Sequence, residues 1–316
     1  MIDRIMITGG AGYLARAIYA SPQFAGAGFT AYSRDETKQD AIRQRWPDVR
    51  CILGDVRDEA ALVLAMAGHD IVIHAAALKY VPEAEFNVRE AIEVNVTGTR
   101  NVLTAARRAG VKRVVVISTD KAVSPLNTYG ATKMLAERLV GEAARTSDTP
   151  LCTVARYGNV VGSTGSVIQK WRAAARAGHP VTLTDPMMSR FWMAPSEAVE
   201  VVHAALTIPT GGTLVSYCAA MQMGAVVSAL GIPLDAITPS GLRPGEKMDE
   251  ELIGEAEIAR YDDPRIDGRW GGMAYLRPAW ETPRRREGEA YRSSNPGHWL
   301  TAAEFMAAVE ESEALL

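Results

Sequence analysis

The stretch IMITGGAGYLA, residues 5–15, decides the fold of this chain. A β-branched run leads directly into a glycine-rich turn, and a helical pattern follows the turn. Gly9 can make the tight turn, Gly12 leaves room for a pyrophosphate against the backbone, and the small Ala15 lets the helix pack on the strand. The free amide groups at the start of the helix would face the anion. A tight turn without a ligand fits the same pattern, but its place on the first strand of an alternating chain favours a dinucleotide site.

The first half of the chain alternates short apolar runs with helical patterns. Because the runs are almost wholly apolar, they are typical of strands that are buried on both faces of a parallel sheet. The runs cover residues 4–8, 29–33, 50–53, 70–74, 113–118 and 151–156, and the helical patterns lie near 14–20, 35–45, 58–67, 88–109 and 130–145. This order predicts an α/β fold with a Rossmann-type doubly wound parallel sheet.

The pattern changes after about residue 158. Helical patterns near 166–177, 196–206, 222–230 and 302–311 stand among Gly, Pro and short irregular runs, and residues 261–298 read as a long wrapping segment. We expect a smaller, mixed C-terminal substrate domain. The predicted division gives residues 1–158 and about 191–218 to the cofactor domain, and 159–190 and 219–316 to the substrate domain.

Composition excludes several classes of protein. The 316 residues are 47% hydrophobic and 22% charged, with a net charge of −3, so we expect no general attraction to nucleic acid or to an anionic membrane. The three cysteines lie far apart and the five histidines form no ligand motif, which argues against a disulfide scaffold and a metal site. No apolar run is long enough to span a bilayer, and the first residues do not resemble a signal peptide. A cytoplasmic protein is expected.

The end of the second predicted strand bears on the choice of dinucleotide. Enzymes that use NAD usually carry an acidic residue there for the ribose 2′-hydroxyl. Here Ser33 and Arg34 come first and Lys38 follows one helical turn later, which favours the 2′-phosphate of NADP. The alternative is that Asp35 binds the ribose and Arg34 is solvated. Asp55, after the third strand, is a candidate for the adenine amino group or for a helix N-cap.

For that N-cap role, Asp58 competes with Asp55, because the next helical pattern begins beside it.

Candidate catalytic residues follow the fifth strand. Thr119, Asp120 and Lys121 lie at its carboxyl end, where open α/β sheets bind ligands. Tyr129 and Lys133 open the next helix at positions i and i+4, so they share one helical face. A nearby ammonium lowers the pKa of a tyrosine, and a phenolate can take the proton of a hydroxyl while hydride leaves. The alternative is an exposed tyrosine beside a solvated lysine.

These motifs together resemble the extended short-chain dehydrogenase/reductase family. Asp120 and Lys121 supply the additional acid and base that a 4,6-dehydratase needs and an epimerase does not. Further stretches are similar to the inverting UDP-N-acetylglucosamine 4,6-dehydratases of pseudaminic acid synthesis. They are YSRDETKQ (32–39), HAAALK (74–79), STDKAV (118–123), RYGNVVGS (156–163), SRFW (189–192), RPGEK (243–247) and YRSSN (291–295).

The resemblance implies a role for each matching position. Asp120 would be the acid for the departing hydroxyl and Lys121 the base at carbon 5, while Tyr129 and Lys133 would serve the redox step. The implied NADP contacts are Gly9, Gly12, Tyr13, Leu14, Ser33, Arg34, Lys38, Asp55, Val56, Ala75, Ala76, Lys79, Asn95, Tyr129 and Lys133. The implied substrate contacts are Lys79, Asn159, Ser166, Val167, Leu183, Thr184, Arg190, Met221, Arg243 and Glu246.

Two of the substrate contacts have structural alternatives. Arg190 could pair with Asp185 or Glu197, and Arg243 with Glu246.

The resemblance implies an NADP cofactor, a UDP-sugar substrate, a product for surface polysaccharide synthesis and a homo-oligomer, without a metal, nucleic acid or membrane partner. Ala15, Tyr80 and Phe86 depart from the family pattern, and residues 209–240 match it loosely. Tyr129 and the absence of a membrane segment in the sequence place the chain with the inverting rather than the retaining relatives. The alternatives are a UDP-sugar 4-epimerase, a 5,6-dehydratase and an NADP-binding sensor without turnover.

Overall fold

The computed structural model describes residues 3–147, 149–208, 211–233, 236–262, 273–278 and 289–315. The strands begin and end within one residue of the six predicted runs, and further strands follow in the second half. They are β1 Arg4–Thr8, β2 Gly28–Ser33, β3 Arg50–Leu53, β4 Ile71–His74, β5 Arg113–Ile117, β6 Leu151–Arg156, β7 Asn159–Val160, β8 Val181–Leu183, β9 Ser189–Met193, β10 Thr213–Val215, β11 Ala219–Gln222, β12 Ile237–Pro239, β13 Glu251–Ile253, β14 Tyr261–Asp262, β15 Ala274–Leu276 and β16 Tyr291–Arg292.

The helices also follow the predicted pattern. They are α1 Tyr13–Ala20, α2 Glu36–Arg45, α3 Glu59–Met66, α4 Val81–Phe86, α5 Val88–Ile92, α6 Gly98–Arg108, α7 Thr128–Thr146, α8 Val167–Arg176, α9 Pro195–Ala205, α10 Met223–Ala229 and α11 Ala302–Ala314. Short 3₁₀ segments lie at Pro22–Phe24, Asp120–Ala122 and Glu255–Arg260. None of the helices in the described ranges is both long and apolar enough to cross a membrane.

The central sheet has the predicted doubly wound topology. Its strand order is β14-β15-β10-β6-β5-β4-β1-β2-β3, and the pairs from β10 to β3 are parallel. From β1 the chain first adds strands on one side, β2 and β3, and then on the other side, beginning with β4, so the strand order reverses beside β1. In such sheets the crevice at the carboxyl ends of the strands beside this switch point binds ligands. The Rossmann-type α/β fold is confirmed.

Alternating side chains of each strand enter two different apolar layers. Met6 and Val72 pack in a cluster with α3, α6 and α7, whereas Ile7 and Ile73 pack with α1 and α9 on the opposite face. Both faces of the sheet are therefore covered, which explains why the strands read as continuous apolar runs.

Smaller sheets lie in the C-terminal half. β9 pairs with β7 and β11, β8 with β12, and β13 with β16. Strands β14 and β15, from the part of the chain predicted as substrate domain, instead extend the large sheet beyond β10. The division into two domains stays a proposal, and most of the predicted wrapping segment lies outside the described residues.

One predicted helix is interrupted. The pattern near 88–109 forms α5 and α6 with a π-helical turn, Glu93–Thr97, between them. Asn95 within this turn is buried, and its amide exchanges hydrogen bonds with the backbone of Leu78 over 2.8 and 3.0 Å. The turn thus holds the loop that follows β4.

A buried arginine joins β6 to two other elements. Arg156 donates to both carboxylate oxygens of Glu137 on α7, over 3.0 and 2.6 Å. It also donates to both oxygens of Glu257 in the 3₁₀ segment, over 2.7 and 2.9 Å. The Arg156 side chain is 2% exposed. The guanidinium therefore neutralises two carboxylates inside the fold.

Replacing Arg156 by methionine should destabilise the protein strongly. The change removes the cation that bridges Glu137 and Glu257 in the interior and leaves only Arg260, 3.5 Å from Glu257, beside them; losing one side of such a buried pair costs about 3–5 kcal/mol. Urea unfolding would measure the free energy difference.

The matched control is Arg292→Met. Arg292 also contacts two glutamates, Glu251 and Glu255, but its side chain is 43% exposed, so we expect a loss of about 0–1 kcal/mol. Equal losses in both variants would contradict the structural role of Arg156.

Candidate active site

One large cleft, of about 2060 Å³, runs across the carboxyl ends of the central strands. It collects most of the predicted site residues from both halves of the chain. Its lining includes Gly9, Gly12, Tyr13, Leu14, Ser33, Arg34, Lys38, Val56, Ala75, Ala76, Lys79, Thr119, Lys121, Tyr129, Lys133, Asn159, Ser166, Val167, Leu183, Thr184, Arg190, Arg243 and Glu246. Four others, Asp55, Asn95, Asp120 and Met221, lie outside this lining.

The glycine-rich turn has the geometry of an anion cradle. Gly9 has a φ of +70°, and a Cβ there would lie 2.9 Å from the backbone nitrogen of Ala76. The Gly12 amide donates to the Gly9 carbonyl over 2.7 Å, and α1 begins at the next residue. Backbone amides at a helix start thus face the cleft, as a pyrophosphate requires.

Side chains at the end of β2 are charged and partly exposed. The Arg34 guanidinium lies 3.5 Å from Asp55 and 3.6 Å from Glu90, with half of its side chain exposed. Asp35 caps α2 by accepting from the Lys38 amide over 2.9 Å, and it pairs with the Lys38 ammonium over 2.8 Å. These hydrogen bonds from Lys38 lower the pKa of Asp35. Arg34 and Asp35 both line the cleft, and Asp35 is engaged by the start of α2.

Asp55 and Met221 do not take the places that the sequence suggested. The Asp55 carboxylate accepts from the Arg57 guanidinium, which draws it away from the cleft, and Asp58 is the N-cap of α3. Met221 is buried in the apolar cluster below the cleft, and Met188 and Met223 line the cleft instead. The expected adenine contact of Asp55 and the expected uridine contact of Met221 therefore lack support in the geometry.

Asn95 does not line the cleft and instead connects two elements that do. Besides its bonds to Leu78, its amide donates to the Thr132 hydroxyl over 2.9 Å. It therefore joins the loop after β4 to α7.

The residues after β5 form a buried ion pair. Asp120 is fully buried and accepts from the Thr119 hydroxyl over 2.8 Å and from the Lys121 ammonium over 3.0 Å. The same ammonium lies 3.4 Å from the Asn159 amide oxygen and 3.5 Å from the Glu250 carboxylate. Lys121 thus meets acceptors from both halves of the chain.

The surroundings of Lys121 decide whether its side chain is protonated. Burial by itself would lower its pKa, but the Asp120 and Glu250 carboxylates outweigh burial and raise the pKa above its ordinary value. Lys121 is accordingly an ammonium in this structure. Two carboxylates face it, so the base that the resemblance implies at Lys121 is protonated in the protein alone.

Tyr129 and Lys133 enter the cleft from the first turns of α7. Burial raises the pKa of Tyr129 to about 12, although the Lys121 charge opposes the rise. Burial also lowers the pKa of Lys133 to about 8. The expected lowering of the Tyr129 pKa by a nearby ammonium is therefore outweighed by burial, and Lys133 itself loses part of its charge near neutral pH.

Helix α7 reaches the ion pair through a glycine. A Cβ at Gly130 would overlap the carbonyl oxygen of Lys121. Asn127 caps the helix by accepting from the Gly130 amide over 2.8 Å, and its own amide donates to the Gly245 carbonyl over 3.0 Å. The close approach at Gly130 holds the start of the helix against Lys121, and the Asn127 cap holds it against the loop at 243–247.

Arg190 and Arg243, which the resemblance implies as contacts of the substrate diphosphate, already have partners within the protein. Arg243 pairs with Glu246 over 2.8 Å, which was one of the alternatives. Arg190 donates to the carbonyls of Ser189, Met248 and Lys247 over 2.7, 3.0 and 2.9 Å, so the alternative pairing with Asp185 or Glu197 is not the one that forms. Glu246 lies between the two arginines and is 3.9 Å from Arg190.

Sequence reasoning missed four charged residues of the cleft wall, Arg16, Glu85, Lys170 and Glu250, and the last two make contacts across the site. Lys170 on α8 contacts Tyr80 across the cleft, with its ammonium 4.5 Å from the ring centre, and the helical face through Val167, Lys170 and Ala174 could have predicted it. Glu250 is buried beside Lys121. Nothing in the run DEE, residues 249–251, distinguishes it from its neighbours.

The arrangement can move protons at two places. Tyr129 and Lys133 line the cleft as one pair, and Lys121 lines it too, with buried Asp120 hydrogen-bonded behind it. In the described part of the chain, no cluster of three or more His, Cys, Asp or Glu side chains could hold a metal ion. The site thus contains a phosphate cradle, a tyrosine–lysine pair and an acid–lysine pair.

Comparison with known proteins agrees with this combination. Residues 5–266 match the family model described as "Polysaccharide biosynthesis protein". The chain belongs to this family. Its fold is that of the extended short-chain dehydrogenase/reductases.

Individual members of this polysaccharide biosynthesis family and its structural neighbours have several names. The UDP-glucose 4-epimerase of Rickettsia massiliae is 39% identical over 287 residues, which cover 84% of this chain and 83% of the relative. The X-ray structure of Pen from Bacillus thuringiensis has a TM-score of 0.87 at 30% identity, covering 100% of this chain and 98% of Pen. MoeE5 in complex with UDP-glucuronic acid and NAD has a TM-score of 0.68 at 25% identity, covering 77% and 87%.

Replacing Gly130 by alanine should disturb the site. The added methyl group must push α7 away from the Lys121 carbonyl, and such overpacking costs about 1–3 kcal/mol, partly offset by about 1 kcal/mol from the better helix propensity of alanine. We expect lower stability in urea unfolding and weaker cofactor binding by calorimetry.

Gly297→Ala is the control. No heavy atom of the described residues lies within 4 Å of a Cβ at Gly297, and its φ is not in the left-handed region. If both variants behaved like the parent, the close approach of α7 would not constrain the site.

Proposed function

We propose that this protein is an NADP-dependent nucleotide-sugar 4,6-dehydratase whose substrate is UDP-N-acetylglucosamine, with inversion at carbon 5. The observation that carries the proposal is the hydrogen bond between buried Asp120 and Lys121, because Lys121 lines the same cleft as Tyr129 and Lys133. A nucleotide-sugar epimerase needs only the second pair. The first pair supplies the additional acid and base that loss of water requires.

The cradle at the end of β1 fits a dinucleotide. Gly9 and Gly12 leave the backbone open to a pyrophosphate, and Lys133 is a buried cation that faces the cleft. NADP bound there would accept hydride from carbon 4 of the sugar and return it to carbon 6. Tyr129 would take the hydroxyl proton at carbon 4, and Lys133 would orient the ribose and stabilise the phenolate.

The elimination needs a carboxylic acid and a free amine, whereas the structure has a carboxylate and an ammonium. One proton can pass from the Lys121 nitrogen to the Asp120 oxygen along their 3.0 Å hydrogen bond. This transfer breaks one N–H bond and forms one O–H bond, so the site takes up no net proton. The amine of Lys121 then removes the proton of carbon 5, and the acid of Asp120 protonates the hydroxyl that leaves carbon 6 as water.

The relatives support a UDP-sugar substrate, and the choice of N-acetylglucosamine rests on the resemblance of the sequence motifs. The Rickettsia relative is named for a UDP-sugar, and MoeE5 was solved with UDP-glucuronic acid. Leu183, Thr184 and Arg243 line the same cleft and would contact a nucleoside diphosphate there. We further propose that the product enters polysaccharide synthesis, that the enzyme acts in the cytoplasm, and that it forms a homo-oligomer.

A UDP-sugar 4-epimerase is the second candidate, and the name of the 39% identical relative favours it. An epimerase uses Tyr129 and Lys133 but leaves carbon 5 and carbon 6 intact. The two functions therefore differ in their dependence on Lys121.

Lys121→Ala should separate oxidation from elimination. The variant keeps Tyr129 and Lys133, so hydride removal at carbon 4 continues, but the carbon 5 proton stays in place. We expect reduced cofactor to accumulate on the enzyme, seen by its absorbance, with product formation lowered by roughly 10²–10⁴-fold.

Lys112→Ala is the control, because Lys112 is an exposed lysine that pairs with Asp70 on the surface. Loss of water at the parent rate in Lys121→Ala would rule out Lys121 as the base.

Arg34→Ala should weaken the binding of NADP and spare that of NAD. A charge-assisted hydrogen bond to a 2′-phosphate contributes about 1.5–3 kcal/mol, which corresponds to roughly 10- to 150-fold in Kd. Calorimetric titration of both dinucleotides would measure this difference.

Arg43→Ala provides the control, since Arg43 is a half-exposed arginine on α2 whose nearest carboxylate is Asp40. Equal affinities of the unmutated protein for NADP and NAD would contradict the assignment.

A further inference from the structure

Glu250 is a buried carboxylate in the wall of the cleft. It is 4% exposed, and its Oε1 lies 3.5 Å from the Lys121 ammonium and 4.0 Å from Nε of Arg190. The other oxygen, Oε2, is buried and has no hydrogen-bond partner among the described residues. An unpartnered buried carboxylate oxygen costs free energy, so fold stability does not explain its presence.

The backbone holds Glu250 in this place. Its amide donates to the Ser293 hydroxyl over 2.9 Å, and the Ser293 amide donates to the Glu250 carbonyl over 2.9 Å. The neighbouring Glu251 lies on β13 and pairs with Arg292 outside the cleft. The carboxylate at 250 is therefore directed at Lys121 by a fixed backbone.

We propose that Glu250 is a positioning residue of the elimination step, which holds the Lys121 ammonium at Asp120 and sets the pH above which this pair loses the proton that it shares. The inference rests on the proposed function for its catalytic consequence. Its physical part, the control of Lys121 by Glu250, concerns the protein without substrate.

Glu250 has two opposing effects on Lys121. A facing carboxylate stabilises the ammonium, so it reduces the fraction of free amine at neutral pH. The same stabilisation makes the amine a stronger base when it takes the carbon 5 proton. Burial raises the pKa of Glu250 itself, and the Lys121 charge opposes the rise. The charged or titratable groups that face this pair are Asp120, Tyr129, Arg190 and Lys247.

The pH dependence of turnover is the first test. Turnover needs the one proton that Asp120 and Lys121 share, so it falls as the pH rises through the pKa of Lys121. In Glu250→Gln this descending limb of kcat should move to lower pH, because one stabilising carboxylate is gone. The plateau should fall, by less than the roughly 10²–10⁴-fold that loss of an acid–base group costs. A structural role alone would lower kcat without moving the limb.

Glu251→Gln is the matched control. It removes a neighbouring carboxylate that pairs with Arg292 and Ser124 outside the cleft, so the limb should stay where the parent has it. If the pH profile of kcat had its limb at the same pH in Glu250→Gln and in Glu251→Gln, the inference would be overturned.

The second test uses the protein without substrate. NMR of the protein labelled with ¹³C at lysine Cε, with the Lys121 signal assigned through Lys121→Arg, follows the titration of Lys121 itself. We expect its midpoint to fall in the order parent, Glu250→Asp, Glu250→Gln, since aspartate draws the carboxylate back by one methylene group. If Glu250→Gln does not fold, Glu250→Asp carries the test, and an unchanged midpoint contradicts the inference.

The two tests separate the two claims. A lowered Lys121 midpoint in a protein that removes no water supports the control by Glu250 and contradicts the proposed dehydratase. Water loss with an unchanged Lys121 midpoint in folded Glu250→Gln supports the dehydratase and overturns the role of Glu250.

Discussion

The ion pair of Asp120 and Lys121 is the interaction on which the rest of the site depends. Asp120 is fully buried, and a carboxylate in the interior is tolerated only with a cation or several donors. Lys121 supplies the cation and Thr119 a hydroxyl, both within the same turn after β5. Since that ammonium is also approached by Asn159 and Glu250, the pair joins the Rossmann sheet to the segment that follows β6 and the one before β13.

The pKa values of Lys121 and Lys133, in the same cleft, are shifted in opposite directions, because different numbers of carboxylates face them. Burial lowers the pKa of Lys133 to about 8, because the charge of Glu137 compensates it only in part. Burial acts on Lys121 as well, but two facing carboxylates raise its pKa above the ordinary value. Groups whose surroundings push their pKa values apart are suited to different proton transfers. This separation is what allows a redox step and an elimination step to be assigned to different residues of one cleft.

The central strands and the helical positions of Tyr129 and Lys133 could be predicted from the sequence, because both depend on local pattern. Continuous apolar runs identified β1 to β6, and the spacing of Tyr129 and Lys133 placed both on the first turns of α7. Charge states and long-range partners could not be predicted in this way. Glu250 meets Lys121 only because separate segments converge, and Met221 faces the core because β11 pairs with β9. Residues 209–210, 234–235, 263–272 and 279–288 lie outside the described structure.

The central claim is that the Asp120–Lys121 pair removes water from a nucleotide sugar, and the mass of the product tests it most directly. Mass spectrometry after incubation of the enzyme with UDP-N-acetylglucosamine and NADP in deuterium oxide should show a sugar nucleotide that has lost one water and carries solvent deuterium at carbon 5. A product that has isomerised with no loss of water would contradict the account and identify an epimerase. Recovery of unchanged substrate from folded, cofactor-bound protein would contradict it as well.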